Sequence, residues 1–318
     1  MATTETQILD DVISSRRKMI MMLGGTALAG AFLADAPKAN AAALTDTDIL
    51  NFALNLEYLE AEYYTLAYSG ALINTFNVGV GPGTAFSGGG SVITKPGGPA
   101  ACKVPFTTSN FAAYAYEIAM EERKHVLFLR SALGSSAVAQ PNIDLYNSFN
   151  AAAAAAGIGP SFDPFASEVN FLLGSYIFED VGVTAYHGAA GLITDKSILG
   201  AGVGIHAVEA YHAGLIRTTL WALDQADTSL GIAATATKIS TLRSTLDGTG
   251  NDDIGLTTTM DSLNGTSASY QASTIVNANQ TNSLGFSRTT AQVLAIVYAN
   301  AAGAPGGFFP NGLNGNIK

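Results

Sequence analysis

A Glu-x-x-His spacing is written twice in this chain, in EERKHVLFLR and again in VEAYHAGLIR. Ten Glu and four His among 318 residues would give about 0.1 such pairs by chance. On a helix, residues three apart project from the same face, so Glu122 and His125 can offer a carboxylate and an imidazole to one ion. Glu209 and His212 can do the same farther along the chain. A fold that brings two such helices face to face is therefore expected.

Hydrophobic periodicity predicts four long helices. Gly70 and Gly134 are stop signals for the first two, and Asp195 is an N-cap for the fourth. Asp163 followed by Pro164 has the form of an N-cap and a first-turn proline, which predicts the start of the third helix. The predicted helices cover residues 45–69, 109–133, 163–193 and 195–223.

The connections between these helices indicate the fold class. A long crossover separates helices two and three, whereas a short turn joins helices three and four. This is the connectivity of a ferritin-like four-helix bundle, so an all-α bundle is predicted for residues 42–225. The Gly/Pro-rich stretch at about residues 70–107 is interpreted as an insertion that covers a face or an entrance. Residues 226–318 are expected to form an irregular C-terminal extension that packs on the bundle.

The N-terminus has the features of an export signal. Arg16 and Arg17 precede a weakly apolar run, a pattern that resembles a twin-arginine signal peptide over residues 1–41. Cleavage after this segment would leave a chain that begins near Ala42. The alternative is an uncleaved anchor, although the run is shorter than the ~20 apolar residues that a membrane span needs. The twin-arginine export machinery is therefore an expected partner, and the expected location is periplasmic or secreted.

Charge and cysteine content exclude several classes of function. The net charge is −10 and no Lys/Arg cluster is present, which argues against a nucleic-acid partner. Cys102 is the one cysteine, so an internal disulfide, a Cys-x-x-Cys redox pair and a Cys-rich zinc or iron–sulfur site are excluded. Cys102 is expected to be a small buried residue.

A second repeat selects carboxylates on the other two helices. Glu179 is the glutamate in the middle of the apolar third helix, and Tyr186 follows it seven residues later. Among the three glutamates of LEYLEAEYY on helix one, only Glu57 has a tyrosine at that spacing, Tyr64. The chain therefore contains the same pattern twice: a helix with a Glu and a Tyr seven residues apart, followed by a helix with Glu-x-x-His. Both tyrosines are interpreted either as core aromatics or as near-site groups that hydrogen-bond a ligand or trap an oxidising equivalent.

These side chains predict a dinuclear metal centre. Four carboxylates and two imidazoles suit two divalent ions of iron or manganese, with open positions left for water, oxygen or peroxide. Glu122 and Glu209 are expected to bridge the ions, while the other two glutamates are terminal and each His binds one ion. The alternative is a polar seam that holds no metal. The predicted metal ligands are Glu57, Glu122, His125, Glu179, Glu209 and His212.

Five further polar residues carry separate expectations. Glu60 is interpreted as solvated rather than as a seventh ligand, and Glu121 is expected to be exposed. Asp180 is a candidate hydrogen-bond partner of a ligand histidine. Arg130 and Arg217 are expected to bond helix carbonyls or surface acids rather than a substrate.

The segments ILNFALNLEYLEAEYY and RTTAQVLAIVYANAAGAPGGFFPNGLNG, together with the repeated Glu/His pairs, resemble the ferritin-like superfamily. More narrowly, the chain resembles the family that contains the plant desiccation-related protein and exported bacterial relatives. That resemblance implies the same six residues as metal ligands. Glu-x-x-His in both halves is similar to rubrerythrins and bacterioferritins, but a rubredoxin-like Cys domain is missing from this sequence.

Two classes of function follow from the sequence. The first is an exported di-iron or di-manganese protein that reacts with oxygen or peroxide in oxidative or desiccation stress, as an oxidase, peroxidase or catalase. The second is a stress-protective or structural protein that binds metal without turnover. Metal sequestration and assembly into a homo-oligomer are further alternatives that the sequence leaves open.

Overall fold

The computed structural model describes residues 44–250, 252–256, 258–262, 269–279 and 281–318. The predicted export signal at residues 1–41 lies outside these ranges. None of the helices within them combines the length and the apolar character that crossing a membrane requires.

Seven α-helices and two small two-stranded sheets make up the regular structure of the described residues. The helices are α1 (Asp46–Ser69), α2 (Ser109–Leu133), α3 (Asn147–Ala155), α4 (Glu168–Ala190), α5 (Lys196–Ala226), α6 (Ile232–Asp247) and α7 (Thr290–Val297). The strands are β1 (Val92–Ile93), β2 (Ile143–Asp144), β3 (Thr258–Ser262) and β4 (Ser269–Ser273). Strands β1 and β2 pair in parallel, and β3 and β4 form an antiparallel hairpin.

The four long helices pack as a bundle. Helix α1 lies along α2, α4 lies along α5, and α1 also contacts α4. The crossover between α2 and α4 contains the short helix α3, whereas a brief turn joins α4 to α5. The predicted all-α four-helix bundle is therefore confirmed. Helix α6 packs against both α4 and α5, and α7 packs against α4, which explains why α4 is apolar on most of its surface.

Local capping explains where the bundle helices begin and end. Gly70 ends α1 in the left-handed conformation at a φ of 73°, which a glycine adopts without strain. The Asp195 side chain accepts hydrogen bonds from the first amides of α5, as its sequence position predicts. The predicted start of the third helix at Asp163 is wrong, because Ser167 caps α4 instead. The Asp163 carboxylate accepts hydrogen bonds from the Phe165 amide and from Lys95, so it organises a turn before the helix.

The glycine-rich insertion is held by a side chain of the bundle. Arg130 on α2 donates hydrogen bonds to the carbonyl oxygens of Gly81, Gly83 and Ala85 at 2.8–2.9 Å. It also donates to the hydroxyl of Tyr58 on α1 at 2.6 Å. The expectation that Arg130 bonds helix carbonyls or surface acids is wrong, since its partners are loop carbonyls and a buried tyrosine. The sequence distance between Arg130 and this loop explains why the pairing could not be predicted.

A buried ionic network fastens the C-terminal extension to the bundle. Asp180 on α4 accepts hydrogen bonds from Arg217 of α5 at 2.7 Å and from Arg243 of α6 at 2.8 Å. Asp253 accepts from Arg243 at 2.7 Å and from Arg288 at 2.9 Å. The proposed pairing of Asp180 with a ligand histidine is therefore wrong. The expectation that Arg217 bonds helix carbonyls or surface acids is also wrong, because its partners include the buried Asp180 and the Ile254 carbonyl of the extension.

Candidate metal centre

The interior of the bundle contains a polar cluster to which each of the four long helices contributes. The structure brings together all six side chains that the sequence pointed to, and all are buried: Glu57, Glu122, His125, Glu179, Glu209 and His212. The cluster lies among the buried hydrophobic residues of the bundle core, so these ionisable groups have little access to bulk water.

The cluster divides into two groups, each able to surround one cation. In the first group, one ligand atom from each of four residues lies within 4.8 Å of the others: Glu57, Glu122, His125 and Glu209. The second group, defined in the same way, contains Glu122, Glu179 and His212. Glu122 belongs to both groups, one oxygen on each side, whereas Glu209 belongs to the first alone. Two neighbouring groups that could each hold a cation therefore share one carboxylate.

Both histidines face the cluster through Nδ1. The His125 Nδ1 atom lies 3.2 Å from Glu57 Oε2, 3.3 Å from Glu122 Oε2 and 3.6 Å from Glu209 Oε1. The two imidazole rings lie 6.4 Å apart, centroid to centroid. Each ring therefore serves its own group.

The second histidine has a similar environment. The His212 Nδ1 atom lies 3.0 Å from Glu122 Oε1 and 3.5 Å from Glu179 Oε2. Glu122 thus presents Oε1 to one histidine and Oε2 to the other, which is the arrangement of a bridging carboxylate.

Two tyrosines orient the terminal carboxylates from the opposite helix. The Tyr64 hydroxyl on α1 donates a hydrogen bond to Glu179 Oε1 on α4, and the Tyr186 hydroxyl on α4 donates to Glu57 Oε1 on α1. Burial and the adjacent carboxylate raise the pKa of both tyrosines well above the usual value, so both stay protonated donors at neutral pH. The other oxygen of each glutamate is left to face its histidine.

Several buried polar atoms of the cluster lack hydrogen-bond partners among the described residues. They are Glu122 Oε1, Glu179 Oε2, both carboxylate oxygens of Glu209 and His212 Nδ1. The short distance between His212 Nδ1 and Glu122 Oε1 does not have the geometry of a hydrogen bond. Unpaired buried carboxylate oxygens are costly, and cations between them would remove that cost. The donor set of carboxylates and imidazoles therefore fits divalent iron or manganese.

Without cations, protons balance the negative charge of the cluster. Burial raises the pKa of Glu57 to about 7, with His125 opposing the shift and Glu122 adding to it. Burial and the surrounding carboxylates raise the pKa of Glu209 well above its usual value. Burial alone would lower the pKa of His125, but Glu57 and Glu122 outweigh it and raise that pKa to about 12. Metal ions would replace these protons, as is general for such ligands.

Glu60 is a further carboxylate of this interior. Glu60 is only 6% exposed, so its interpretation as a solvated residue is wrong. Burial and the charges of Glu122, Glu179 and Glu57 raise its pKa well above the usual value. Because Glu60 lies one turn after Glu57, its position on the inner face could have been derived from helical spacing alone.

Gly182 leaves the space that the Glu209 carboxylate occupies in the cluster. A Cβ atom at this position of α4 would overlap Glu209 Oε2 and would lie 3.5 Å from Glu60 Oε1. Gly182 is three residues after Glu179, on the same face of α4. A glycine at that spacing within a helix is a sequence signal that another side chain approaches the backbone closely.

Glu121 supports a histidine from outside the cluster. The Nε2 atom of His212 lies 2.7 Å from Glu121 Oε2, and this carboxylate is only 32 % exposed. The expectation that Glu121 is simply exposed is wrong, since the hydrogen bond fixes the ring so that Nδ1 faces the cluster.

The third glutamate of the LEYLEAEYY segment, Glu62, lies elsewhere: it accepts a hydrogen bond from the Ile73 amide in the insertion.

Comparisons with known proteins agree with the bundle fold. The model of the family described as Ferritin-like domain matches residues 45–222. Desiccation-related protein PCC13-62 from Craterostigma plantagineum is 32% identical over 279 residues, which cover 85% of this chain and 83% of that protein. Ferritin-like catalase Nec2 from Nesocodon mauritianus is 29% identical over 279 residues, covering 86% of this chain and 84% of that protein. No solved structure matches the chain. The buried Glu/His cluster thus lies in a chain that belongs to the ferritin-like superfamily, in the family of the desiccation-related proteins.

Proposed function

We propose that this protein is an exported dinuclear-metal protein that reacts with peroxide or oxygen under oxidative or desiccation stress. The observation that supports it best is the pair of ligand groups that share Glu122. The six proposed ligands are those named by the sequence, with Glu122 as the bridge and one histidine on each ion. Two iron or manganese ions at these positions would supply the redox changes that peroxide and oxygen chemistry requires.

The side chains of the chain itself would prepare the site for this chemistry. Tyr64 and Tyr186 hold one oxygen each of Glu179 and Glu57, so the remaining oxygens keep a fixed direction. Glu121 holds the imidazole of His212 in one orientation. The packed walls of the bundle exclude bulk water from the site.

Peroxide disproportionation is the reaction that we favour. One peroxide is oxidised to oxygen while a second is reduced to water, so no external reductant is consumed. This suits a chain in which Cys102 is the one cysteine and a Cys-based electron relay is excluded. The similarity to a protein named as a ferritin-like catalase, over most of both chains, supports the same choice.

Metal analysis and oxygen release test this proposal together. The purified protein, loaded with iron or with manganese, is expected to hold two ions per chain and to release oxygen steadily from hydrogen peroxide. Glu122→Ala removes the shared carboxylate and should abolish both properties, whereas Glu117→Ala, at an exposed position on α2, should leave them unchanged. Absence of oxygen release with either metal would contradict the proposed turnover.

Export is tested separately. Replacing Arg16 and Arg17 by Lys should stop accumulation of the protein outside the cytoplasm if the N-terminal segment is read by the twin-arginine machinery. Unchanged export of this variant would contradict the proposed route.

A protective protein without turnover is the second candidate. It is favoured by the similarity to a protein named as desiccation-related. In that case the protein would protect dried enzymes or membranes equally well with and without metal. Protection that survives Glu122→Ala, together with no oxygen release by the native protein, would establish this alternative.

A further inference from the structure

A cavity of about 240 Å³ lies inside the bundle at the end where α1 begins and α2 ends. All four long helices contribute to its wall, through side chains that include Phe52, Leu129, Ala189 and Ile205. Tyr186, whose hydroxyl donates a hydrogen bond to Glu57, also lines the cavity. The space therefore lies one side chain away from the candidate metal centre.

The wall of this cavity is almost entirely hydrocarbon. Of its lining residues, which all belong to the described part of the chain, Ser197 and Tyr186 are the two with polar side chains. The hydroxyl of Tyr186 is already engaged with Glu57. Lys, Arg and His are missing from the lining, so an anionic head group would find no charge to neutralise it.

The size of the cavity limits the ligand. An apolar protein cavity of about 150 Å³ stays dry and binds benzene, so by simple proportion this one accommodates about ten non-hydrogen atoms. Phe128 lines the cavity and is 46% exposed, so the cavity reaches the protein surface at this end of the bundle. A substituted monocyclic hydrocarbon has both the volume and the polarity that the wall selects.

We propose that this apolar cavity is a binding site for a small neutral hydrophobic molecule, held beside Tyr186 and thus next to the candidate metal centre. The site differs from the metal centre in chemistry, because it is defined by hydrocarbon walls and by the lack of charged groups. Its test does not depend on the proposed redox function, since binding is expected in metal-free protein.

Propylbenzene is a suitable probe, and 3-phenylpropanoate is its charged counterpart. Calorimetric titration of the metal-free protein is expected to show saturable binding of one propylbenzene per chain and at least tenfold weaker binding of 3-phenylpropanoate. Ala189→Leu fills part of the cavity and should weaken propylbenzene binding at least tenfold. Ala190→Leu is the matched control, because the neighbouring residue on α4 does not line the cavity.

Three results would overturn the proposal: no saturable binding of propylbenzene, equal binding by the Ala189→Leu protein, or a preference for the carboxylate. If Ala189→Leu does not fold, as judged by its near-ultraviolet circular dichroism, Ala53→Leu on the α1 wall provides the same comparison. Loss of binding in that folded variant would support the site, and unchanged binding would contradict it.

Discussion

Tyr186 on α4 donates a hydrogen bond to Glu57 on α1, and the sequence repeat is completed by the reverse pair, from Tyr64 on α1 to Glu179 on α4. Each tyrosine lies seven residues after the glutamate of its own helix but bonds the glutamate of the other helix. The repeat therefore corresponds to two reciprocal Tyr–Glu hydrogen bonds between α1 and α4. Neither hydroxyl points to the glutamate that precedes it in sequence.

Removing one hydroxyl should release one carboxylate. Tyr186→Phe and Tyr64→Phe are each expected to weaken metal binding by about 10–100-fold, because a hydrogen bond that orients a ligand has effects of this size. Competition with a chelator measures the affinity. Tyr63→Phe is the control, since that neighbouring hydroxyl donates to the Phe171 carbonyl at 2.8 Å instead. Equal metal affinities in all three variants would show that the two Tyr–Glu hydrogen bonds have no role in metal binding.

Gly182→Ala should damage the site without unfolding the bundle. The added methyl group overlaps Glu209 Oε2, so this carboxylate has to move and the first ligand group loses a member. We expect fewer than two ions per chain, with helical content unchanged by circular dichroism. Gly214→Ala, on α5 with open space around its Cβ position, should retain both ions. It should also gain about 0.5–1 kcal/mol in unfolding free energy, because alanine favours a helix.

Glu121→Ala should act on the metal through His212. The hydrogen bond between Glu121 and the ring is lost, and metal affinity is expected to fall by about 10–100-fold. Glu121→Gln keeps an acceptor for the ring and should restore most of the affinity. If the negative charge of Glu121 mattered rather than its hydrogen bond, both variants would lose the same metal affinity. Competition with a chelator measures both affinities and distinguishes these two explanations.

The ionic network at Asp253 should make stability depend on pH in the acid range. Burial tends to raise the pKa of Asp253, but Arg243 and Arg288 outweigh it and hold that pKa below its usual value. A carboxyl whose pKa is lowered by folding adds stability that is complete above its unfolded pKa of about 3.9 and is lost as pH falls through the folded value.

Asp253→Asn leaves two buried guanidiniums short of a partner and should cost about 3–5 kcal/mol of unfolding free energy at neutral pH. Urea unfolding between about pH 2 and pH 7 should show a constant gap between native and variant protein above about pH 4 that narrows below it. A gap that widens on acidification would contradict the assigned charge state of Asp253.

Local signals explain which parts of the fold could be predicted from sequence. Gly70, Gly134 and Asp195 act within one turn of their own helix, so the ends that they mark are where the sequence places them. Asp163 and Pro164 give the same kind of signal, but Lys95 and a local turn engage the aspartate before the helix starts.

Contacts between distant segments explain what could not be predicted. Helical spacing was enough to identify the side chains that meet at the cluster, because residues three and seven apart share a face. The role of Glu121 depends on how α2 and α5 are rotated against each other, which periodicity alone leaves open. The carbonyls that Arg130 contacts lie in the insertion, and Arg243, one of the two arginines on Asp180, lies in the C-terminal extension. No sequence repeat marks either contact.

Asp180 directly follows Glu179 on α4, so the ion pairs that fasten the C-terminal extension end one residue away from a carboxylate of the metal centre. A chain cut after α5 would keep all six candidate ligands and yet lose Arg243, leaving Arg217 as the remaining arginine on Asp180. Among its described residues, the extension thus supports the candidate centre without contributing to either ligand group. Truncation of the C-terminal extension would accordingly weaken metal binding before it unfolded the four-helix bundle.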